Sequence, residues 1–254
     1  MGRAISLAAA LLGASIAGND AGAADIKLVS PGAVSTSLDV LVPQFEQSSG
    51  HKVTVGYSPA LALADRLKQG EATDVAIVGE PAADELIKLG LFVAGSKTVV
   101  AKVGVGVFVR KGDPKPDISS RDAFVRSMMN AKAISYSDPK LGGTAANYAG
   151  RLMAELDVTG SIAPKTKLTP PSKPLRDFIA GGGADFGLTQ ITEIVADPRL
   201  ELVGPLPAEL QYYTLYAAGV MAASRHQDVG KALIAFLASP AASVVMRSKG
   251  FEQL

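Results

Sequence analysis

The sequence predicts an α/β protein built as two lobes. Short apolar segments with the length of buried strands alternate with segments of helical periodicity along most of the chain. Two longer apolar segments, at 98–110 and 212–222, stand apart from this alternation. Because each exceeds the usual length of a strand, we expect both to cross between two series of β-α units. The predicted architecture is therefore a pair of mainly parallel sheets, each flanked by helices.

The first series of elements begins the mature chain and closes near residue 95. A helix over 33–47 follows from the spacing of Leu38, Leu41 and Phe45, with Pro43 as a kink. A second helix is expected to start at Ser58 and Pro59 and to end before Gly70. The remaining predicted elements are strands at 26–30, 53–57 and 74–78 and a helix at 81–89.

A second series follows the first long strand. Pro114 and Pro116 mark a polar, turn-rich segment before it. Its predicted elements are helices at 120–130, 145–156 and 173–180 and strands at 133–137 and 185–189, and after the second long strand the helices 227–237 and 240–249. The expected division is lobe 1 at 25–105 and 215–254, and lobe 2 at 106–214.

The N-terminus has the pattern of a secretory signal peptide, predicted over residues 1–24. A basic start at Arg3 precedes an apolar run over 4–17, and Ala21-Gly22-Ala23 offers small residues for cleavage. The run is shorter than the roughly 20 residues that a membrane-spanning helix needs. We therefore expect a mature protein that is soluble outside the cytoplasm, in the periplasm.

Composition excludes several function classes. The chain has no Cys, which removes disulfides, thiol nucleophiles and Cys metal sites. Its 25 Lys and Arg nearly balance 24 Asp and Glu, so nucleic acid is not an expected partner. His51 and His226 form no metal-binding pattern, and no Gly-x-Ser-x-Gly elbow or phosphate-binding loop is present. No cofactor or metal is predicted, and the expected state is a monomer.

Four segments carry a resemblance to a known family: LADRLKQGEATDVAIVG (63–79), SDPKLGGTAANYAGRL (137–152), GGADFGLTQITEI (182–194) and FLASPAASVVMRSKGF (236–251). Together they resemble the periplasmic molybdate-binding proteins and related solute-binding proteins of ABC transporters, and the chain is identified as a divergent member. The resemblance implies a type II periplasmic binding fold with a hinge through the two long strands and ligand capture by lobe closure. It also implies a small anionic solute and a transient inner-membrane ABC permease partner.

The family's ligand positions are altered in this chain. The resemblance places the oxyanion-binding Ser of the first loop at Ala33 and the second, Ser-rich loop at 58–61, which reads Ser-Pro-Ala-Leu. The family's ligand-binding Tyr aligns with Gln190. A lost hydrogen bond to a charged group costs about 1.5 to 3 kcal/mol, so the predicted ligand is an organic carboxylate rather than molybdate.

Candidate ligand-binding residues lie at the predicted strand ends and helix starts, where free backbone N–H groups, hydroxyls and one amide can bind an anion without a cation. Tyr57 and Tyr212 are candidates to cover the ligand. The full set is Ser30, Gly32, Ala33, Tyr57, Ser58, Gly142, Gly143, Thr144, Gln190 and Tyr212.

The predicted function is periplasmic capture of this anion for an ABC-type uptake system. Bacterial aconitate isomerases resemble the same family, so an isomerase of a small tricarboxylate is one alternative, with Glu193 or a cleft Tyr moving the proton. A molybdate- or tungstate-binding protein is a second alternative. A binding protein that presents its ligand to a membrane kinase is a third.

Overall fold

The structure, a computed structural model, describes residues 22–157, 160–170 and 172–254, so nearly all of the predicted signal peptide lies outside the described residues. The strands are β1 (Asp25–Pro31), β2 (Lys52–Ser58), β3 (Val75–Gly79), β4 (Thr98–Arg110), β5 (Ile134–Ser137), β6 (Thr166–Thr169), β7 (Phe186–Gln190), β8 (Leu200–Pro205) and β9 (Tyr213–Val220). The helices are α1 (Ser35–Ser49), α2 (Ala60–Lys68), α3 (Glu80–Lys88), α4 (Arg121–Asn130), α5 (Thr144–Leu156), α6 (Leu175–Ala180), α7 (Ile191–Val195), α8 (Gln227–Leu237) and α9 (Pro240–Ser248).

One long strand links two sheets. The strand order is β2-β1-β3-β9-β4-β7-β5-β6, and β8 also pairs with β4. Residues 98–104 of β4 pair with β9, whereas residues 105–110 pair with β7 and β8. We call the part of the fold around β1, β2, β3 and β9 lobe 1, and the part around β5 to β8 lobe 2. The fold is the predicted mixed α/β architecture.

Each lobe has its own apolar core. In lobe 1, Leu28 and Ile77 of the sheet pack with Leu38 of α1. In lobe 2, Phe124 of α4 and Phe186 of β7 lie in one buried cluster with ring centroids 6.5 Å apart. Separate cores allow each lobe to hold its shape independently of the other.

The last two helices return to lobe 1. Leu233 and Ile234 of α8 and Met246 of α9 are buried in the same core as Leu28. No single helix among the described residues is long and apolar enough to cross a membrane, and only α8 and α9 taken together, with a 60° bend between them, reach that length and composition.

The sheets differ from the predicted pattern in their central strands. β1 pairs in parallel with β2 and β3, and β5 with β6 and β7, as predicted. The long strands β4 and β9 instead run antiparallel to all their neighbours, because the chain crosses between the lobes in opposite directions. β9 also stays within lobe 1, so the return crossing runs through residues 206–212.

Three elements are absent from the sequence prediction. β6 has the sequence TKLT and is too polar to stand out as a buried strand. β8 is half-exposed along most of its length, and α7 has only 5 residues. Short elements give little periodicity, so tertiary pairing decides them.

Candidate functional site

A cavity of about 110 Å³ lies between the two lobes, where β1 and β2 of lobe 1 face β5, β7 and α5 of lobe 2. We call it the anion cavity. This volume has room for a few water molecules or one small anion. Among the described residues that line it, Glu193 is the only charged side chain.

The lobe 1 wall of the anion cavity consists mainly of small and apolar residues. Pro31 ends β1 and Gly32 and Ala33 follow it, whereas Pro59 and Ala60 follow β2. The helix expected at Ser58 begins instead at Ala60, because Ser58 pairs in register with Pro31 as the last residue of β2. Its hydroxyl accepts a hydrogen bond from Arg66 Nη1 at 3.2 Å and does not cap the helix.

The lobe 2 wall begins at the N-terminus of α5. Gly143 occupies the N-cap position and supplies no side-chain cap, so the first-turn N–H groups need another acceptor. Thr144, Ala145 and Ala146 of this turn line the anion cavity. A helix N-terminus with uncapped donors stabilises a negative charge, so this wall suits an anion.

Gln190 links the two lobes at the edge of the anion cavity. Its side-chain nitrogen donates to Thr214 Oγ1 at 3.0 Å, and the Tyr216 hydroxyl donates to its oxygen at 2.9 Å. Gln190 is 3 % exposed and Tyr216 2 % exposed. The Gln190 amide has two N–H donors, and these bonds to described residues use one of them. The side chain therefore has structural partners from β9 as well as a place in the cavity wall.

Glu193 is the titratable group of the site. The Thr189 hydroxyl donates to its Oε2. Burial raises the pKa of the Glu193 carboxyl, and this effect outweighs the lowering by the Thr189 bond and by the nearby positive charge of Arg176. A carboxyl with a raised pKa can donate a hydrogen bond to an anion while protonated, and can take up a proton after losing it.

A backbone contact joins the lobes beside the anion cavity. The Leu61 N–H of α2 donates to the Gly142 carbonyl at 3.4 Å. Gly142 has a φ of 75°, and a Cβ at this position would lie 2.9 Å from Leu61 Cβ. Gly142 therefore permits the close approach of the lobes and does not itself line the cavity.

Six of the ten predicted ligand residues line the anion cavity. They are Gly32, Ala33, Ser58, Gly143, Thr144 and Gln190. Their proximity supports the prediction that strand ends and helix starts from both lobes converge on one site.

The other four predicted residues do not line the anion cavity, and their assignment as ligand-binding residues stays a prediction. Ser30 is fully buried and its hydroxyl donates to the Pro31 carbonyl at 3.1 Å. Tyr57 is 42 % exposed and donates to Asp39 of α1 at 3.2 Å. The Tyr212 ring stacks on Tyr148 with ring centroids 4.7 Å apart, and Tyr212 lines another cavity, of about 750 Å³. Gly142 forms the interlobe contact.

The sequence interpretation missed two polar residues of this region, Ser137 and Arg176. Ser137 lines the anion cavity at the carboxyl end of β5. It could have been found from its position at a strand end, the same signal that pointed to Ser30. Arg176 lies in the first turn of the short helix α6. A basic residue there opposes the helix dipole, and this mismatch was the available signal.

The family model for the bacterial extracellular solute-binding proteins matches residues 26–252. The chain belongs to this family. This solute-binding protein is 28 % identical to an aconitate isomerase from a Pseudomonas species over 89 % of its own length and 87 % of the relative's. It is 25 % identical to the molybdate-binding protein ModA of Azotobacter vinelandii, over 94 % of each chain.

A solved structure confirms the fold of this solute-binding protein. The periplasmic molybdate-binding protein of Azotobacter vinelandii superposes with a TM-score of 0.73 at 16 % identity, over 90 % of this chain and 99 % of that one. The fold is thus the type II periplasmic binding fold that the sequence resemblance predicts, in a divergent member.

Proposed function

We propose that the protein captures a small organic carboxylate in the anion cavity and delivers it to an ABC permease, acting in the periplasm. The observation that carries this proposal is the lining of the anion cavity. It combines the uncapped N-terminus of α5 with hydroxyl groups and the Gln190 amide. Burial raises the pKa of Glu193, the one acidic side chain among its described residues, and so favours the neutral acid over a carboxylate that would repel an anion. Such a lining binds an anion through neutral donors.

The asymmetry of the donors favours a planar carboxylate over a tetrahedral metal oxyanion. Donor side chains lie mainly on the lobe 2 wall, whereas Ala33 and Ala60 present methyl groups on the lobe 1 wall. A tetrahedral oxyanion directs oxygens to both walls. Each missing bond to a charged oxygen costs about 1.5 to 3 kcal/mol, so molybdate should bind poorly.

Lobe closure is part of the proposal. We place the hinge near Val105 and Tyr212, where β4 passes from one sheet to the other and the Val105 N–H donates to the Tyr212 carbonyl at 3.3 Å. The proposed lobes are 25–105 with 215–254, and 106–214. The Leu61–Gly142 bond then belongs to the closed state, and a bound anion favours closure because both lobes line its cavity.

A ligand screen by thermal unfolding tests the proposal. A ligand at 100 times its Kd stabilises the folded state by about 2.7 kcal/mol, which corresponds to several degrees in Tm for a protein of this size. We expect stabilisation by acetate, citrate or aconitate and none by molybdate, tungstate or sulfate. Stabilisation by micromolar molybdate, with no response to any carboxylate, would contradict the proposal.

A second candidate function, isomerisation of a small tricarboxylate such as aconitate, is supported by Glu193. The 28 % identical relative is named an aconitate isomerase. This reaction removes a proton from a methylene carbon, shifts the double bond by one position, and returns a proton to the former vinyl carbon. One carboxyl group with a raised pKa, held by Thr189 against the cavity, can perform both proton transfers.

Glu193→Gln separates the two candidates. In an isomerase the variant should turn over trans-aconitate at least a hundredfold more slowly, as measured by NMR. It should still bind the substrate, because the amide keeps the size of the side chain.

A pH profile is a second test. Wild-type kcat should rise with pH as Glu193 ionises to its basic form. Glu155→Gln, an exposed position on α5, is the matched control and should leave turnover unchanged. A wild-type protein that binds aconitate without interconverting its isomers would support binding alone.

A further inference from the structure

A second cavity of about 350 Å³ adjoins the anion cavity. We call it the basic cavity because Arg176 lines it. The two cavities share Gly32, Ala33, Ser137 and Glu193 in their walls. The shared residues place the two cavities side by side, with Glu193 in the wall of each.

Two hydroxyl groups in the basic cavity have no hydrogen-bond partner among the described residues. Thr192 Oγ1 belongs to a residue that is only 1 % exposed, and Thr36 Oγ1 lies buried in the first turn of α1. Both residues line the basic cavity. A buried hydroxyl without a partner is unfavourable in a folded protein. Both oxygens are covered by protein atoms, so each threonine side chain must turn its hydroxyl into the basic cavity to bind a polar atom of a ligand, which would give that hydroxyl a partner.

Arg176 supplies a positive charge to the same cavity. Among the described residues it forms no ion pair within salt-bridge distance, although it lies close enough to Glu193 and Asp197 to lower the pKa of both carboxyls. Its position in the first turn of α6 opposes the helix dipole and does nothing to stabilise that helix. The planar guanidinium matches a carboxylate, which it can bind through two parallel hydrogen bonds.

We propose that the basic cavity binds a second carboxylate of the ligand, through Arg176 and the hydroxyls of Thr192 and Thr36. The substrate class is then a di- or tricarboxylate, with one carboxylate in the anion cavity and another in the basic cavity. This inference rests on the proposed function, since it assigns a further part of the same ligand. Glu193, which lines both cavities, would face the carbon chain between the two carboxylates.

Titration calorimetry with two probes tests the inference. The probes are tricarballylate, a saturated tricarboxylate, and butyrate, which carries one carboxylate. We expect the wild-type protein to bind tricarballylate at least tenfold more tightly than butyrate. Arg176→Met should raise the Kd for tricarballylate at least tenfold and change the Kd for butyrate less than twofold.

Two further variants serve as a control and an independent test. Arg126→Met removes an exposed charge from α4 of the same lobe and should affect neither probe. Thr192→Val keeps the side-chain shape and removes an unpartnered hydroxyl, so it should lower tricarballylate affinity severalfold without lowering the Tm.

The outcomes distinguish failure of this inference from failure of the proposed function. If butyrate binds and tricarballylate binds no more tightly, or if Arg176→Met weakens both probes equally, the second carboxylate site is wrong and carboxylate capture stands. If neither probe binds the wild-type protein, carboxylate capture itself is wrong and the inference falls with it.

Discussion

The two lobes contribute different chemistry to the anion cavity. Lobe 1 lines it with proline, glycine and alanine, and its two polar groups there, the hydroxyls of Ser58 and Tyr216, are bound to Arg66 and Gln190. Lobe 2 lines it with an uncapped helix N-terminus, with hydroxyls, and with the side chains of Gln190 and Glu193. We infer that lobe 2 selects the ligand and that lobe 1 closes over it.

This division explains how a shared scaffold can change its ligand. The strand ends and helix starts that form the cavity depend on the fold, which the chain shares with molybdate-binding proteins. The functional groups depend on a few side chains at those positions. At position 33, for example, serine and alanine differ only by one hydroxyl group, and this position lies in the cavity wall.

The largest effect is expected from Gln190→Ala, which removes the link between Gln190 of lobe 2 and Thr214 and Tyr216 of lobe 1. The variant leaves the buried Tyr216 hydroxyl without its acceptor, which costs about 1 to 3 kcal/mol. We expect a lower free energy of unfolding in urea as well as weaker ligand binding. Thr214→Val removes one of the two bonds and should cost less. If Gln190→Ala has the same free energy of unfolding as the wild-type protein, the bonds of Gln190 to Thr214 and Tyr216 are not needed for stability.

Gly142→Ala tests the interlobe contact. A non-glycine residue at a φ of 75° costs about 1 to 2 kcal/mol, and the added Cβ would press on Leu61 in the closed state alone. Gly112→Ala is the matched control, because its φ is 86° and no atom lies within 4 Å of the added Cβ. We expect both variants to lose similar stability but only Gly142→Ala to bind ligand more weakly. Equal ligand affinities in the two variants would show that the Leu61–Gly142 contact takes no part in lobe closure.

Ala33→Ser adds a hydroxyl to the lobe 1 wall of the anion cavity, at the position where the family resemblance expects one. A new hydrogen bond to an oxyanion should raise molybdate affinity roughly tenfold, equivalent to about 1.4 kcal/mol, with a smaller change for carboxylates. Ala62→Ser, on the exposed face of α2, is the control. Titration calorimetry compares the affinities. An unchanged molybdate affinity would mean that lobe 1 does not limit selectivity.

The smallest effect is expected from Asp197→Asn, which changes lobe 2 alone. The bonds from Arg199 to Asp197, at 2.6 and 2.9 Å, lower the pKa of this carboxyl to about 2. Because the folded pKa lies below the ordinary value of 3.8, the ionised pair stabilises the fold above about pH 4 and ceases to do so as the pH falls through about 2. Arg199 is half exposed, so the variant should lose only about 1 kcal/mol at neutral pH. Thermal unfolding at pH 7 and pH 2 measures the difference, which should be much smaller at the lower pH, where about half of the folded molecules carry a protonated Asp197.

The long elements of the fold were predictable from the sequence. β4 spans the predicted residues 98–110, and α8 spans the predicted 227–237, because long apolar or amphipathic segments give a strong periodic signal. The antiparallel pairing of β9 was not predictable, since strand order depends on how distant segments meet.

The candidate site was predictable in outline and not in detail. Gly143 and Thr144 were found because a glycine pair before a helix marks a free N-terminus. Tyr57 does not line the anion cavity, because an aromatic residue at a strand end can turn either towards the cleft or, as here, towards Asp39. Local sequence does not determine that choice, which depends on the packing of α1 against β2.

The sequence by itself determined the α/β class, the family and the strand ends that carry the site, because these follow from periodicity and from motifs within single segments. Only the tertiary structure decided that Gln190 binds Thr214 and Tyr216, that Glu193 and Arg176 line the same basic cavity, and that Gly142 meets Leu61. Each of these contacts joins residues far apart in the chain. Their energies depend on burial and on partners that no local pattern encodes.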